Sequence, residues 1–178
     1  MLRLFAGIAL PPEHKLQLST ICHGESGIRW TDPGNFHVTI RFIGEVDEGV
    51  AADIDAALTG IRMAGFDLSI AGIGTFGPAD KPRLIYAGLD KAPALAQLHD
   101  KVEMALMRAG LPPEGRRFTP HITLGTMRNA DPIAVARFVA THNLLRLPPF
   151  RVDRFELIRS YLTKSGAVYE DVAEYPLR

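Results

Sequence analysis

With 178 residues and twenty basic against twenty acidic side chains, the chain gives no sign of whole-molecule attraction to nucleic acid, so a polyanion would have to be held by a local patch. A hydrophobic fraction of 47% and a charged fraction of 22% fit one globular domain with a real core, and no apolar run approaches the length that spans a bilayer. The single cysteine, Cys22, excludes an internal disulfide and any multi-cysteine metal site and reads as a small buried apolar group in a helix.

Met1 to Leu10 is too short an apolar run for a signal peptide and lacks a cleavage pattern, so it reads as a first strand over Leu2 to Leu10 in a cytoplasmic protein. Pro11, Pro12 and Glu13 then open a helix to about Cys22. A loop through Gly24 and Gly27, a short extended piece at Ile28 to Trp30, and a turn at Asp32 to Asn35 lead into a strand from His37 to about Gly44. Apolar positions at Val50, Ile54, Ala57, Leu58 and Ile61 predict a helix over Asp47 to Arg62, with Asp47 as its cap. Phe66 to Ile70 alternates as a strand, followed by a segment whose Gly72, Gly74 and Gly77 lack phosphate-loop spacing and read as loop punctuation.

A strand at Arg83 to Leu89 is followed by a helix over Ala92 to Ala109, with Leu95, Leu98, Val102, Leu106 and Met107 on one side and Gly110 as its stop. After Pro112 and Pro113 comes a short strand around His121 to Gly125, then a helix from Asp131 to about Leu145. Phe150 to Arg159 and Val168 to Pro176 read as two closing strands joined by a hairpin at Thr163 to Gly166.

The stretch Phe36 to Ile43 alternates side chains that do chemistry with side chains that seek a core. As an extended strand it would put His37, Thr39 and Arg41 on one face and Val38, Ile40 and Phe42 on the other. A second His-x-Thr occurs at His121 and Thr123, 84 residues on. At that offset Asp47 maps on Asp131, Ile54 on Phe138, Ile61 on Leu145, Arg62 on Arg146 and Phe66 on Phe150, within the same order of elements. A duplicated unit, about 1–80 and 81–178, with its halves docked about a pseudo-twofold axis, would bring both His-Thr faces into one cleft.

Two imidazoles in one cleft can divide proton transfer between them, one taking a proton from water and the other giving one to a leaving oxygen. Threonine hydroxyls two residues on can bind the non-bridging oxygens of a phosphate, and Arg41 could add charge-assisted bonds. A lone His-x-Thr is more often packing than catalysis, but two copies in register reverse those odds. A two-histidine metal site lacks the third ligand such sites recruit, since neither motif holds an acidic or Cys partner. No metal or cofactor is therefore expected. His14, His23, His99 and His142 have no matching partner and read as structural or exposed. Trp30 is a candidate base-stacking residue with packing as the equal alternative. Basic pairs at Lys81/Arg83, Arg116/Arg117 and Arg151/Arg154 are candidate patches or solvated surface.

With both motifs in view the chain resembles the two-histidine (2H) phosphoesterases, and among them the RNA 2′,3′-cyclic phosphodiesterases, also called 2′-5′ RNA ligases. The likeness lies in Arg3 to Ile8, Ile28 to Trp30, His37 to Val46, Phe118 to Gly125 and Ser160 to Tyr169. It implies a bilobed α+β domain of two interleaved lobes, with two antiparallel β-sheets forming a central cleft and helices packed outside. It also implies metal-free opening of RNA-terminal 2′,3′-cyclic phosphates to 2′-phosphates, with His37 as proton donor, His121 as proton acceptor, and Thr39 and Thr123 on the phosphate. The expected substrates are RNA 3′ ends or small cyclic nucleotides, without membrane association, and a monomer is the default. Reversible 2′-5′ ligation and non-catalytic binding of RNA ends are the alternatives. Relatives commonly carry an arginine where this chain has Thr126, and Arg128 is the candidate replacement.

Overall fold

The computed structural model describes all 178 residues. In chain order it contains β1 (Leu2–Ala9), α1 (Pro12–Ser19), β2 (Ile28–Trp30), β3 (His37–Val46), α2 (Glu48–Thr59), β4 (Phe66–Leu68), β5 (Ile70–Phe76) and β6 (Leu84–Leu89). There follow α3 (Pro93–Arg108), β7 (Ile122–Met127), α4 (Pro132–His142), β8 (Phe150–Val152), β9 (Arg154–Thr163) and β10 (Gly166–Pro176). The helices form where apolar residues recur at helical spacing behind a local cap. Asp47 accepts the Val50 N–H at 2.8 Å to start α2, and Asp131, at the equivalent place, accepts the Ile133 N–H at 3.0 Å to start α4. α3 stops at Gly110, whose φ of 96° lets the Leu111 N–H fold back onto the Leu106 carbonyl at 3.0 Å. The buried side of α3 is Leu95, Leu98, Val102, Ala105 and Leu106, while Met107 stands exposed.

Two four-stranded antiparallel sheets carry the fold, one in the order β10-β9-β1-β3 and the other β2-β7-β6-β5. Each draws strands from both halves of the chain, and one cluster of 35 buried apolar side chains runs through both. The chain is thus an α+β fold with internal pseudo-twofold symmetry. The symmetry is most direct in the small sheet of β4 and β8, where Phe66 faces Val152, Asp67 faces Arg151 and Leu68 faces Phe150. Shifting either strand by 84 residues turns it into the other, so the pseudo-axis passes between Asp67 and Arg151.

Both stretches expected as single strands, Phe66 to Ile70 and Phe150 to Arg159, are interrupted, at Ser69 and at Asp153. These are equivalent positions at the 84-residue offset, and each is where the chain leaves the small sheet for a large one. The carbonyls of Ser69 and Asp153 turn away to accept the N–H groups of Asp90 at 2.9 Å and Leu177 at 2.8 Å. Of the glycine-rich segment only Gly77, at φ 104°, lies in a loop as expected. Gly72 and Gly74 lie inside β5, and a Cβ at Gly74 would fall 2.5 Å from the Tyr86 hydroxyl, so the glycine lets that ring fold across the strand. Helix ends fall short of the expected ones in α1, which stops at Ser19, and α4, which stops at His142.

Strict alternation in the first motif strand fails first just after Thr39, and that failure decides what faces the cleft. Gly7 of β1 pairs with Thr39 and Ala6 with Arg41, leaving Ile40 as an extra residue in a β-bulge. The bulge reverses the facing of the residues just after it, up to a second register shift at Ile43. Arg41 turns inward to 7% exposure, and Phe42 turns out to 58%. The expected place of Arg41 beside the phosphate is therefore corrected: it is a structural residue. Its Nε and Nη2 donate to the two carboxylate oxygens of Glu103 at 2.9 and 3.3 Å, Nη1 to the Phe42 carbonyl at 2.6 Å, and Nη2 also to the Pro112 carbonyl at 2.6 Å. Glu103 further accepts the Glu114 N–H at 2.8 Å. Burial works to raise the Glu103 carboxyl, but the Arg41 and Glu114 bonds outweigh it and hold it below its ordinary value.

An ion pair with every donor placed is costly to break from one side. Arg41→Ala is expected to destabilise the protein by roughly 3 kcal/mol in urea unfolding, and Arg41→Met with Glu103→Leu to recover most of that loss. A cost for Arg41→Ala below about 0.5 kcal/mol, the range of ordinary surface substitutions, would show that the pair holds nothing.

Candidate active site

A cleft of about 520 Å³ opens between β3 of one large sheet and β7 of the other, within the usual size range of small-molecule sites. His37, Thr39, His121 and Thr123 all line it, so the two motifs meet in one place. The second motif strand carries the same bulge as the first. Tyr86 of β6 pairs with Thr123 and Ile85 with Gly125, which leaves Leu124 as the extra residue, the equivalent of Ile40. In consequence Thr126 faces the cleft as Phe42 does.

The two imidazoles are held alike. His37 Nδ1 lies 2.6 Å from the Asn35 carbonyl and His121 Nδ1 lies 2.7 Å from the Thr119 carbonyl. A carbonyl can only accept, so each Nδ1 carries the hydrogen and each Nε2 is left with its lone pair when the ring is neutral. His121 Nε2 makes no bond to the protein, whereas His37 Nε2 accepts from the Thr39 hydroxyl at 2.8 Å. Each ring is also packed between aromatic side chains. Phe5 and Tyr169 lie 4.7 and 5.2 Å from His37 by ring centroid, and Phe76 and Tyr86 lie 4.9 and 5.7 Å from His121. Rings packed this closely lose rotational freedom, which is what a proton-transfer group needs to keep its aim.

Asn35 has a second task, since its side-chain amide donates to the Ala167 carbonyl at 2.8 Å and so ties the β9–β10 hairpin to the residue that orients His37. Trp30 lines the cleft but also packs on Phe138 with ring centroids 5.4 Å apart, so part of its face is committed to the core. Arg128 is exposed and lies outside the cleft lining, which corrects its expected place there. None of the basic pairs lines the cleft either: Arg116, Arg151 and Arg154 are engaged with Glu114, Asp67 and Glu156. The one carboxylate at the cleft, Asp32, accepts the Gly34 N–H at 2.8 Å and caps a single turn of 3₁₀ helix. No three His, Cys, Asp or Glu side chains in the protein are gathered as metal ligands would be.

Residues 32–163 match the 2′-5′ RNA ligase superfamily. The chain belongs to this family. Among its curated relatives are proteins named RNA 2′,3′-cyclic phosphodiesterase from Aeropyrum pernix, 33% identical with 87% of this chain and 89% of the relative covered, and from Archaeoglobus fulgidus, 28% identical with 96% and 98% covered. The fold is similar to that of LigT from E. coli in complex with 3′-AMP, at a TM-score of 0.79 and 25% identity over 99% of this chain and 98% of LigT. It is similar also to TT0787 of Thermus thermophilus, at a TM-score of 0.82 and 25% identity over 99% and 98%.

This member of the 2′-5′ RNA ligase superfamily shows its two histidines in unequal settings. Burial lowers His37 to about 4; the Asn35 carbonyl pulls the other way, and His121 and Lys15 add to the lowering. The free protein thus holds a neutral imidazole at His37 at neutral pH. Among the remaining histidines, His14 is buried with Nε2 2.7 Å from the Pro148 carbonyl, and His99 stacks on Phe118 at 4.1 Å, both away from the cleft. Burial pushes the Cys22 thiol up to about 12, which suits packing and not reactivity. Sequence reasoning missed Phe42, Phe5, Tyr169, Phe76, Tyr86 and Arg29 as parts of the site. Phe42 and Thr126 could not be found from alternation because of the bulges, whereas Tyr169 lay in view on the terminal hairpin.

The lowered His37 has a thermodynamic consequence. Unfolded, this ring has a pKa of about 6.5, so as pH falls below that value the unfolded chain takes up a proton that the folded protein refuses until about 4. Stability is therefore intact above about 6.5 and falls as the pH drops toward 4, by at most roughly 3 kcal/mol at 1.36 kcal/mol per unit. Urea unfolding at pH 7 and pH 5 should show this loss in the wild type and a clearly smaller one in His37→Gln. An equal acid response in both would place the sensitivity elsewhere.

Proposed function

We propose that the chain hydrolyses RNA-terminal 2′,3′-cyclic phosphates to 2′-phosphates by metal-independent acid/base catalysis with paired histidines. One observation carries the proposal: two motifs 84 residues apart present their imidazoles to a single cleft, each held through Nδ1 by the carbonyl two residues before it. The names of the curated relatives support the substrate class.

In this reading Thr39 and Thr123 donate hydrogen bonds to the non-bridging oxygens of the cyclic phosphate. His121, whose Nε2 lone pair has no protein partner, takes a proton from a water, and the water oxygen forms a bond to phosphorus opposite the 3′ oxygen. The bond from phosphorus to the 3′ oxygen breaks, and that oxygen takes the proton of His37. The products are a 2′-phosphate and a free 3′-hydroxyl, leaving His37 neutral and His121 charged until proton exchange with solvent restores them.

His37 can donate only if it arrives charged, and in the free protein it is neutral. The phosphate itself supplies the change. When the Thr39 hydroxyl turns from His37 Nε2 to a phosphate oxygen, Nε2 is released, and the new negative charge beside the ring favours its protonated form. Nδ1–H to the Asn35 carbonyl then holds the imidazolium with Nε2–H directed into the cleft.

The test is hydrolysis of a short RNA ending in a 2′,3′-cyclic phosphate, in excess chelator, with the phosphate position of the product identified. Wild type should yield the 2′-phosphate, and His37→Ala and His121→Ala should each lose a factor of about 10² to 10⁴ while still binding product. Binding without turnover by a well-folded wild type would sink the hydrolytic reading and favour a module that only grips RNA ends.

A further inference from the structure

The cleft of a protein proposed to act on an anion holds one cation. Of the residues lining it, Arg29 is the only lysine or arginine. Arg29 is exposed, and its guanidinium makes no hydrogen bond or ion pair with the protein, in contrast to Arg41, Arg116, Arg146, Arg151 and Arg154, which all have acidic partners. The single carboxylate at the cleft is occupied by the Gly34 N–H. A fork of donors with no acceptor stands open to a ligand.

Its position says which part of a ligand. Arg29 sits directly across from Thr126 in the pairing of β2 with β7, so it belongs to the end of the cleft that the second bulge opens. Thr123 pairs with Tyr86 and Thr126 with Leu84, two residues further along β6, so this end lies about 7 Å along the sheet from the motif threonine and apart from the reacting phosphate. The guanidinium lies beside the β9–β10 turn, where a Cβ on Gly166 would lie 3.6 Å from Nη2. By the pseudo-twofold, the opposite end holds Phe42, the equivalent of Thr126, with its ring exposed. One end is apolar and fits a base; the other is cationic and fits a phosphate.

We infer that Arg29 binds the phosphodiester on the 5′ side of the terminal ribose, so that the site prefers an RNA end to a cyclic mononucleotide. The inference rests on the proposed reaction at His37 and His121. A guanidinium can give a phosphodiester two parallel hydrogen bonds along with its charge, and a mononucleotide without a 5′ phosphate offers nothing for it to bind.

The test compares adenosine 2′,3′-cyclic phosphate with the dinucleotide adenylyl-adenosine 2′,3′-cyclic phosphate, for wild type, Arg29→Lys and Arg29→Gln. In Arg29→Gln the preference for the dinucleotide, taken as the ratio of kcat/KM values, should fall about tenfold or more, mainly through KM, a contact with a charged group being of that size. Arg29→Lys, which keeps charge without the fork, should fall between. Calorimetric binding of the two 2′-phosphate products supplies a readout independent of turnover. The salt dependence of dinucleotide affinity should lose about 0.7 in its logarithmic slope on Arg29→Gln, the share of one phosphate in a single strand. Should wild type bind both products with this difference and hydrolyse neither substrate, the hydrolytic reading fails and the Arg29 contact stands. Normal turnover with a preference ratio and salt slope unchanged in Arg29→Gln would overturn the inference alone, as would equal losses on both substrates.

Discussion

The extra residue just after each motif threonine, Ile40 in β3 and Leu124 in β7, fixes what the cleft contains. Without the bulges, the pleat would carry the His and Thr faces straight on to Arg41 and Gly125; with them, Phe42 and Thr126 face the ligand and Arg41 goes inside. A buried guanidinium needs acceptors, and here they come from two elements at once. Glu103 belongs to α3, and the Pro112 carbonyl belongs to the segment that leads from α3 to the second motif. The bulge in the first motif is thereby linked to the approach of the second. The geometry of one half of the site depends on where the other half begins.

The charge pattern follows from the same arrangement. A net charge of zero leaves no long-range field to draw in a polyanion, and Arg116, Arg146, Arg151 and Arg154 are paired with acidic partners on the surface, where such pairs contribute little to stability. What remains at the cleft is two imidazoles, two motif threonines and one unpaired guanidinium. Such a site binds weakly to anions in general and selects by where the hydrogen-bond donors stand. Selection of this kind is local, and it does not depend on a basic face.

Much of this was legible in the residue order. The repeat, the His-x-Thr pair, the helices and their Asp47 and Asp131 caps all rest on local patterns, and local patterns are what a sequence displays. The interruptions at Ser69 and Asp153 were hidden because both flanks are strand-like, and only the exchange of sheets explains the break. The two bulges were hidden for the same kind of reason: Thr39-Ile40-Arg41-Phe42 alternates well enough to look continuous, and the residue that contradicts it, Glu103, lies 62 positions away. Arg29 is visible in the sequence only within the Ile28 to Trp30 likeness, without a role, because a single arginine before a tryptophan does not show what it would bind. Its meaning comes from Thr126 across the ladder and from the lack of any partner.

The pseudo-twofold brings two equivalent histidines together, yet a reaction that takes a proton on one side and gives it on the other needs them to differ. The difference arises in the surroundings. His37 sits at the start of an edge strand, covered by Phe5 and Tyr169 and tied through Asn35 to the β9–β10 hairpin, and its Nε2 is engaged by its own threonine. His121 lies just before the interior strand β7, whose first residue Ile122 pairs with Ala87 of β6, and its Nε2 is unengaged. Cover disfavours the charged form of the His37 ring in the free protein, while Nε2 of His121 is left without a protein partner. A duplicated scaffold thus aims the two rings alike, and the packing around them sets them in unequal surroundings.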